Sequence, residues 1–317
     1  MNQHTRSTRD ETLGLWLGVL GTLCFALTLP AARLATQLGT GMQAAPALSP
    51  CFVAFGRAAL AGGLSVVFLL ATRSPLPRRA QVKPLALAAL GNAVGYPLLL
   101  GYALRSVNAN HAAVVTALLP LTTAVVAVWV LHQRARLEFW LCAVLGGALV
   151  AAFLLLRTYA QNGGFGFAWA DLLLLGAVLA AAIGYVYGAQ ITPALGAVRV
   201  ICWVCVFALP FTLPGALLLW PAQPVPVAAW GGLVYAGAVL MWAGFFAWYR
   251  ALAMGGALLV SQTQLLQPFL SIVAAAMLLG EAIEALTLVF AVAVVITVMA
   301  QAKTGSAENF DNKKETR

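Results

Sequence analysis

Ten apolar segments recur along the chain, and they constrain its fold more than any other feature. About 20 apolar residues in a helix cross the roughly 30 Å of bilayer hydrocarbon. In lipid, the backbone must form its hydrogen bonds internally, and these segments lack the alternation of barrel strands, so we predict helices. The predicted spans are 13–33, 51–71, 84–104, 109–131, 139–157, 170–190, 198–219, 228–249, 256–279 and 284–301.

The composition excludes several other classes of protein. Hydrophobic residues make up 62% of the chain and charged residues 9%, against roughly 45–50% and 25% in soluble domains. The net charge of +9 does not indicate nucleic-acid binding, because Lys and Arg lie between apolar segments. We expect reduced packing cysteines, no metal site and no cofactor, since all five cysteines lie inside apolar segments and no histidine accompanies them at metal-ligand spacing. The cysteines are Cys24, Cys51, Cys142, Cys202 and Cys205.

The distribution of Lys and Arg predicts the orientation, because cytoplasmic loops carry an excess of both. With the N-terminus inside, fourteen of these residues face the cytoplasm, while Arg33, Arg105 and Arg157 face outward and Arg57 lies within a span. We therefore expect a multi-pass protein of the inner (cytoplasmic) membrane. Its tails, 1–12 and 302–317, are both predicted to be cytoplasmic, and the first segment is predicted to be retained rather than cleaved.

An internal repeat is visible at an offset of 148 residues. Leu118 and Pro120 match Leu266 and Pro268, within eight identities over 29 positions where roughly three are expected by chance. Each half holds five predicted spans, so the second half enters the membrane upside down. The sequence thus predicts an all-α membrane protein with two inverted five-helix repeats, 13–157 and 163–301, and a substrate site between them.

Four short motifs occur in different spans of the chain. They are Ala103 to Leu121, a counterpart ending in Gln-Pro-Phe at Phe269, the Leu-Gly-Glu that ends at Glu281, and Ala-Asp-Leu-Leu-Leu in the sixth span. Together they resemble the EamA-type transporters of the drug/metabolite transporter superfamily. The resemblance implies ten helices, a central cavity, alternating access and export of amino acids or other small metabolites.

Two departures from the family pattern stand out. The first half has His132 and Gln133 where the second half, like the family, has Gly280 and Glu281. The glutamate is therefore not required for the fold of the first half, and its role in the second half is open. The first span carries no acid, unlike that of the proton-coupled small multidrug exporters of the same superfamily.

Matched polar faces on the fourth and ninth spans are candidates for the wall of a substrate cavity. Residues three to four positions apart share a helix face, and the repeat offset pairs the two faces. Interhelical hydrogen bonding is the alternative reading, and it stays open. The candidate residues are Thr116, Thr123, Ser261, Gln264, Gln267 and Ser271.

Further candidates lie on the third, sixth and eighth spans. Asn92 and Tyr96 are one helical turn apart, and Tyr185 and Trp242 lie within their spans. Aromatic side chains in a bundle contact ligands or serve as packing and interfacial anchors, and the sequence leaves both roles open.

Two residues have a predicted charge or coupling role. Arg57 lies inside a span, where an unpaired charge costs at least about 2.5 kcal/mol on insertion scales. It could bind a substrate carboxylate, or it could pair with helix-end carbonyls, Asp171 or Glu281. His111, near the outer mouth of the fourth span, could titrate near neutrality or be hydrogen-bonded only.

The sequence favours a secondary transporter that exports or exchanges small neutral or zwitterionic metabolites. A membrane-embedded sensor or scaffold without transport is the alternative, and a homodimer is compatible with the sequence. No HExxH, GxSxG or span with two acids occurs, so we do not expect an enzyme. Every acid lies in a tail, in a loop or at a span end, which predicts a facilitator or exchanger rather than a proton-driven carrier.

Overall fold

A computed structural model describes residues 3–36, 48–130, 137–162, 168–255, 263 and 266–297, and the regular elements in these ranges are helical. Two segments in mid-span, Ala89–Gly95 and Tyr235–Ala243, are π-helical. The α-helices are α1 Gln3–Ala26, α2 Thr28–Thr36, α3 Pro50–Ala71, α4 Arg79–Ala88, α5 Tyr96–Ala103, α6 Ala109–Thr116, α7 Leu119–Val130, α8 Leu137–Asn162, α9 Trp169–Leu195, α10 Ala197–Leu218, α11 Val227–Val234, α12 Gly244–Gly255, α13 Gln267–Leu279 and α14 Ala285–Thr297.

Seven stretches of the described chain are long and apolar enough to cross a membrane. Three shorter apolar helices, Val144–Phe153, Gln267–Leu279 and Ala285–Thr297, coincide with the remaining predicted segments. The predicted all-helical membrane architecture is therefore confirmed. The seven stretches are Trp16–Thr36, Pro50–Ala71, Arg79–Ala103, Ala109–Val130, Trp169–Leu195, Ala197–Leu218 and Val227–Ala251.

Helices from the two halves of the chain pack against each other rather than forming separate bundles. Helix α3 lies along α10, α1 lies along α12, and α4 and α5 lie along α9. One apolar core surrounds α6 and α9, with Val114 and Leu174 fully buried, and a second joins α3, α10 and α12, with Ile201 and Met241 fully buried.

Small residues make the closest of these contacts. A Cβ at Gly91 would stand 2.4 Å from the carbonyl oxygen of Ala180 and 2.8 Å from the amide nitrogen of Gly184. Real Cβ atoms essentially never approach so closely, so only glycine fits here. This contact seats the π-helical segment Ala89–Gly95 against the middle of α9.

Candidate functional site

Arg57 lies at the centre of the interface between the two halves. Its side chain is buried at 6% exposure, and Nε has no hydrogen-bond partner. The titratable groups close enough to interact with the guanidinium electrostatically are Tyr96, Tyr185 and Cys205, on α5, α9 and α10. We call Arg57 and these three residues, together with Asn92 and Tyr249, the Arg57 cluster.

Asn92 joins this cluster from the π-helical segment one turn before Tyr96. It is buried, its Nδ2 has no partner, and its Oδ1 stands 2.4 Å from where a Cβ of Gly184 would be. Tyr249 approaches α9 in the same way, with its buried, unpartnered hydroxyl 2.8 Å from the Cβ position of Gly188. Glycines on α9 thus make room for both polar groups. Arg57, Tyr96 and Tyr185, chosen from the sequence, are brought together, and Asn92, also chosen, contacts α9 at Gly184, one residue before Tyr185.

Trp242, in the π-helical segment Tyr235–Ala243, forms an aromatic group with Phe68 and Phe246. Phe68 is on α3, 11 residues after Arg57. The Trp242 ring centroid is 6.2 Å from that of Phe68 and 4.6 Å from that of Phe246. Its buried Nε1 and the hydroxyl of Ser65 have no hydrogen-bond partner, and both side chains lie beside the thiol of Cys202. Ser65 follows Arg57 by eight positions on α3, which corresponds to about 12 Å of helix rise.

The threonines of the fourth span differ in their hydrogen bonding. Thr116 donates to the carbonyls of Ala112 and Ala113 on its own helix, at 2.9 and 3.2 Å. The buried hydroxyl of Thr123 has no partner. The Thr116 hydroxyl is therefore hydrogen-bonded within its own helix, whereas the Thr123 hydroxyl has no hydrogen-bond partner.

Ser271 connects the ninth span to a break in the first. Pro30 lacks an N–H, so the carbonyl of Ala26 loses its helical donor, and the helix is interrupted between α1 and α2. The Ser271 hydroxyl donates to this carbonyl at 2.8 Å. Interhelical hydrogen bonding is thus the role this geometry gives Ser271. Gln267 is the half-buried first residue of α13. Ser261 and Gln264 lie outside the described residues.

Glu281 caps the fourth span. Its Oε1 accepts from the N–H of Ala109 at 2.9 Å, and its Oε2 accepts from the N–H of Asn110 at 3.0 Å. Asn108 accepts from the N–H of His111 at 3.0 Å, so the first three N–H groups of α6 have acceptors. Arg33 completes the group, with Nε 3.3 Å from Glu281 Oε1. The role that the sequence left open for Glu281 is therefore a cap on a helix of the other half.

His111 and Asp171 form a buried pair beside this cap. The imidazole Nε2 lies 2.8 Å from Asp171 Oδ1, and the two side chains are 5% and 1% exposed. Asp171 Oδ2 accepts from the N–H of Ala168 at 3.0 Å, which caps the start of α9. Both acids that the sequence offered as partners for Arg57 are thus engaged elsewhere, Asp171 with His111 and Glu281 with Arg33.

Sequence reasoning missed Cys205 and Tyr249 in the Arg57 cluster and Ser65 beside Trp242. For one of them the sequence held a signal, because Cys205 stands at the repeat offset of 148 residues from Arg57. Nothing in the local sequence distinguished Ser65 or Tyr249 from packing residues.

The structure also shows a cavity of about 430 Å³ away from these polar residues, lined in part by Ser49, Phe52, Leu219 and Gln223. Phe52 packs edge-to-face against both Trp220 and Trp230 with ring centroids 5.7 Å apart, and the two indole rings are tilted by 38° with centroids 5.3 Å apart. No group of three or more potential metal ligands occurs in the described part of the chain.

Comparison with known proteins agrees with this architecture. The model of the EamA-like transporter family matches residues 12–157 and 168–300. The uncharacterized transporter YdeK of Bacillus subtilis (strain 168) is 35% identical over 296 residues, which cover 92% of this chain and 98% of YdeK. One solved crystal structure has the same fold, with a TM-score of 0.61 and 21% identity over 92% of this chain and 98% of the other. The chain is a multi-pass membrane protein that belongs to the EamA-like transporter family.

Proposed function

We propose that this protein is a secondary transporter that exports or exchanges small metabolites, such as amino acids, by alternating access. The Arg57 cluster is the observation that carries the proposal. It gathers buried polar groups without partners at the interface between α3 and α5 of one half and α9, α10 and α12 of the other. Such groups are costly inside a membrane unless they meet a ligand or water during the working cycle.

The architecture we propose is ten spans in two inverted repeats. Several structural features support it at the sequence offset of 148. The stretch Arg79–Ala103 corresponds to Val227–Ala251, and each contains a π-helical segment at the equivalent place. Helix α7 starts at Leu119, and α13 starts at Gln267. Paired irregular helices at mid-span are typical of transporters whose substrate site lies between repeats.

In the orientation that the Lys and Arg distribution predicts, with both termini cytoplasmic, the Glu281 cap and the His111–Asp171 pair lie at the extracytoplasmic face. They hold helices from both halves together there. We propose that this face is closed in the present conformation and separates during transport. Reporter fusions at Arg79, Gly163 and Lys314 test the orientation, and only the one at Gly163 should report an outside location.

The substrate is proposed to be neutral or zwitterionic and to contact the predicted residues of the Arg57 cluster and Trp242. Flux tests the function: purified protein in proteoliposomes should exchange labelled amino acids from a mixed pool with unlabelled counter-substrate. Empty liposomes and heat-unfolded protein are the controls. A folded protein that moves no member of a broad metabolite pool would instead favour a sensor or scaffold.

A further inference from the structure

Arg57 is a buried cation without a resident counter-charge. Its Nε is hydrogen-bonded to nothing, and no acidic side chain in the described part of the chain forms an ion pair with it. A guanidinium that serves only the fold is normally satisfied by carboxylates or carbonyls, because desolvating an unpaired charge is unfavourable. The missing partner is therefore a feature that the fold alone does not explain.

The nearby acids do not supply that partner. Both oxygens of Asp171 are engaged, one by His111 and one by the N–H of Ala168. Both oxygens of Glu281 are engaged by helix N–H groups, and Arg33 pairs with it as well. Glu284 is exposed to the surroundings of the protein. No acid whose side chain the structure describes therefore pairs with Arg57, which leaves the guanidinium available to an anionic ligand.

Other groups of the Arg57 cluster also lack hydrogen-bond partners. Asn92 Nδ2 and the Tyr249 hydroxyl are buried without partners, and Tyr96 and Tyr185 add further hydroxyls. The guanidinium and the amide nitrogen can only donate and the tyrosine hydroxyls can donate, so the site matches a ligand group that presents several lone pairs. A carboxylate does so, and a guanidinium binds it through two parallel N–H···O bonds.

The deeper side of the site is apolar and aromatic. Trp242, Phe68 and Phe246 lie beyond Ser65, about 12 Å of helix rise from Arg57. The Cys205 thiol lies beside both Arg57 and Ser65, so a ligand with one anionic end and one apolar end can extend from the guanidinium toward these rings.

We infer that Arg57 is the subsite for the carboxylate of the transported metabolite, and that the ligand is a monocarboxylate with an apolar body. This inference rests on the proposed transport function and names its substrate class. In it, the carboxylate pairs with Arg57, the Asn92 amide and tyrosine hydroxyls complete the donor set, and the apolar body packs toward Trp242.

Matched probes test the carboxylate directly. Purified protein in detergent is melted with L-phenylalanine, L-phenylalaninamide or phenylpropionate, and with L-leucine, L-leucinamide or isocaproate. In each set the second probe lacks the carboxylate and the third lacks the ammonium group. We expect at least one acid to raise the melting temperature and its amide to bind about tenfold more weakly or worse. Equal binding of acid and amide in both sets would overturn the inference.

The variant Arg57→Met separates a binding role from a structural one. Removing an unpaired buried charge should leave the melting temperature of the empty protein unchanged or raise it, while the acid loses about tenfold or more of its affinity. Arg57→Lys keeps the charge but not the planar fork and should retain part of the binding. Arg199→Met, on the exposed surface of α10, is the matched control and should bind like the original protein. Failure of Arg57→Met to fold, or unchanged acid binding by it, would overturn the inference.

Flux distinguishes this inference from the proposed function. If proteoliposomes exchange metabolites without discriminating acids from amides, transport stands and the carboxylate subsite is wrong. If no metabolite is exchanged at all, the proposed function fails and the inference fails with it.

Discussion

Arg33 and Glu281 form an ion pair with Nε and Oε1 3.3 Å apart, although they come from the end of the first span and from the connection after α13. The same carboxylate accepts from the backbone of Ala109 and Asn110. One acid thus joins three helix ends from both halves of the chain. Since both side chains are largely buried, with exposures of 16% and 9%, this contact should contribute to stability more than a surface ion pair.

The first prediction concerns this cap. Glu281→Gln removes the charge that Arg33 and two helix N–H groups share, so the free energy of unfolding should fall by about 2–4 kcal/mol. Intrinsic tryptophan fluorescence of the detergent-purified protein measures the shift. The control Lys83→Gln changes an exposed charged residue and should cost less than about 0.5 kcal/mol. Equal shifts for both variants would show that the cap contributes nothing specific.

The second prediction concerns the helix break at Pro30. Ser271→Ala leaves the Ala26 carbonyl without a donor and should destabilise the protein by about 1 kcal/mol. Pro30→Ala restores an N–H at the position that normally bonds to this carbonyl. In that background Ser271→Ala should cost clearly less. An unchanged cost in both backgrounds would mean that Ser271 acts through a different contact.

The third prediction compares two glycines. Gly91→Ala places a methyl group 2.4 Å from the carbonyl oxygen of Ala180, so it should destabilise by about 2 kcal/mol or more or push α9 away. Gly63→Ala meets no atom within 4 Å and should be neutral or stabilising by up to about 1 kcal/mol. Melting temperatures of both variants check this. A harmless Gly91→Ala would contradict the close contact.

The fourth prediction concerns energy coupling. Asp171 lies 14 residues before Tyr185 on α9, so the His111–Asp171 pair is about 21 Å from the Arg57 cluster along the helix. Substrate and proton would then not compete at one place. In proteoliposomes with equal substrate on both sides, an imposed pH gradient should drive no net accumulation. Accumulation that is lost in His111→Asn would assign proton coupling to this pair, and accumulation that persists would require another titratable group.

The sequence anticipated part of the candidate site. Asn92 and Tyr96 were predicted to share a face because they are one turn apart; the structure places Tyr96 beside Arg57 and Tyr185, and Asn92 against Gly184 next to Tyr185. Ser271 was also chosen from its helical face, but its hydroxyl bonds to Ala26. A helix face states which residues point the same way and does not state what they meet, since the neighbouring helix is not encoded in the spacing.

The sequence by itself determined that the chain is helical and crosses a membrane, because apolar length and backbone hydrogen bonding within a segment are local properties. It also determined which spans carry polar side chains. Only the tertiary structure decided how those side chains are satisfied. Glu281 caps a helix of the other half, Asp171 takes His111, and Arg57 is left without an acid. Each of these outcomes depends on which distant helix ends meet. The close packing of small residues, such as Gly91 against α9, decides which helix ends meet.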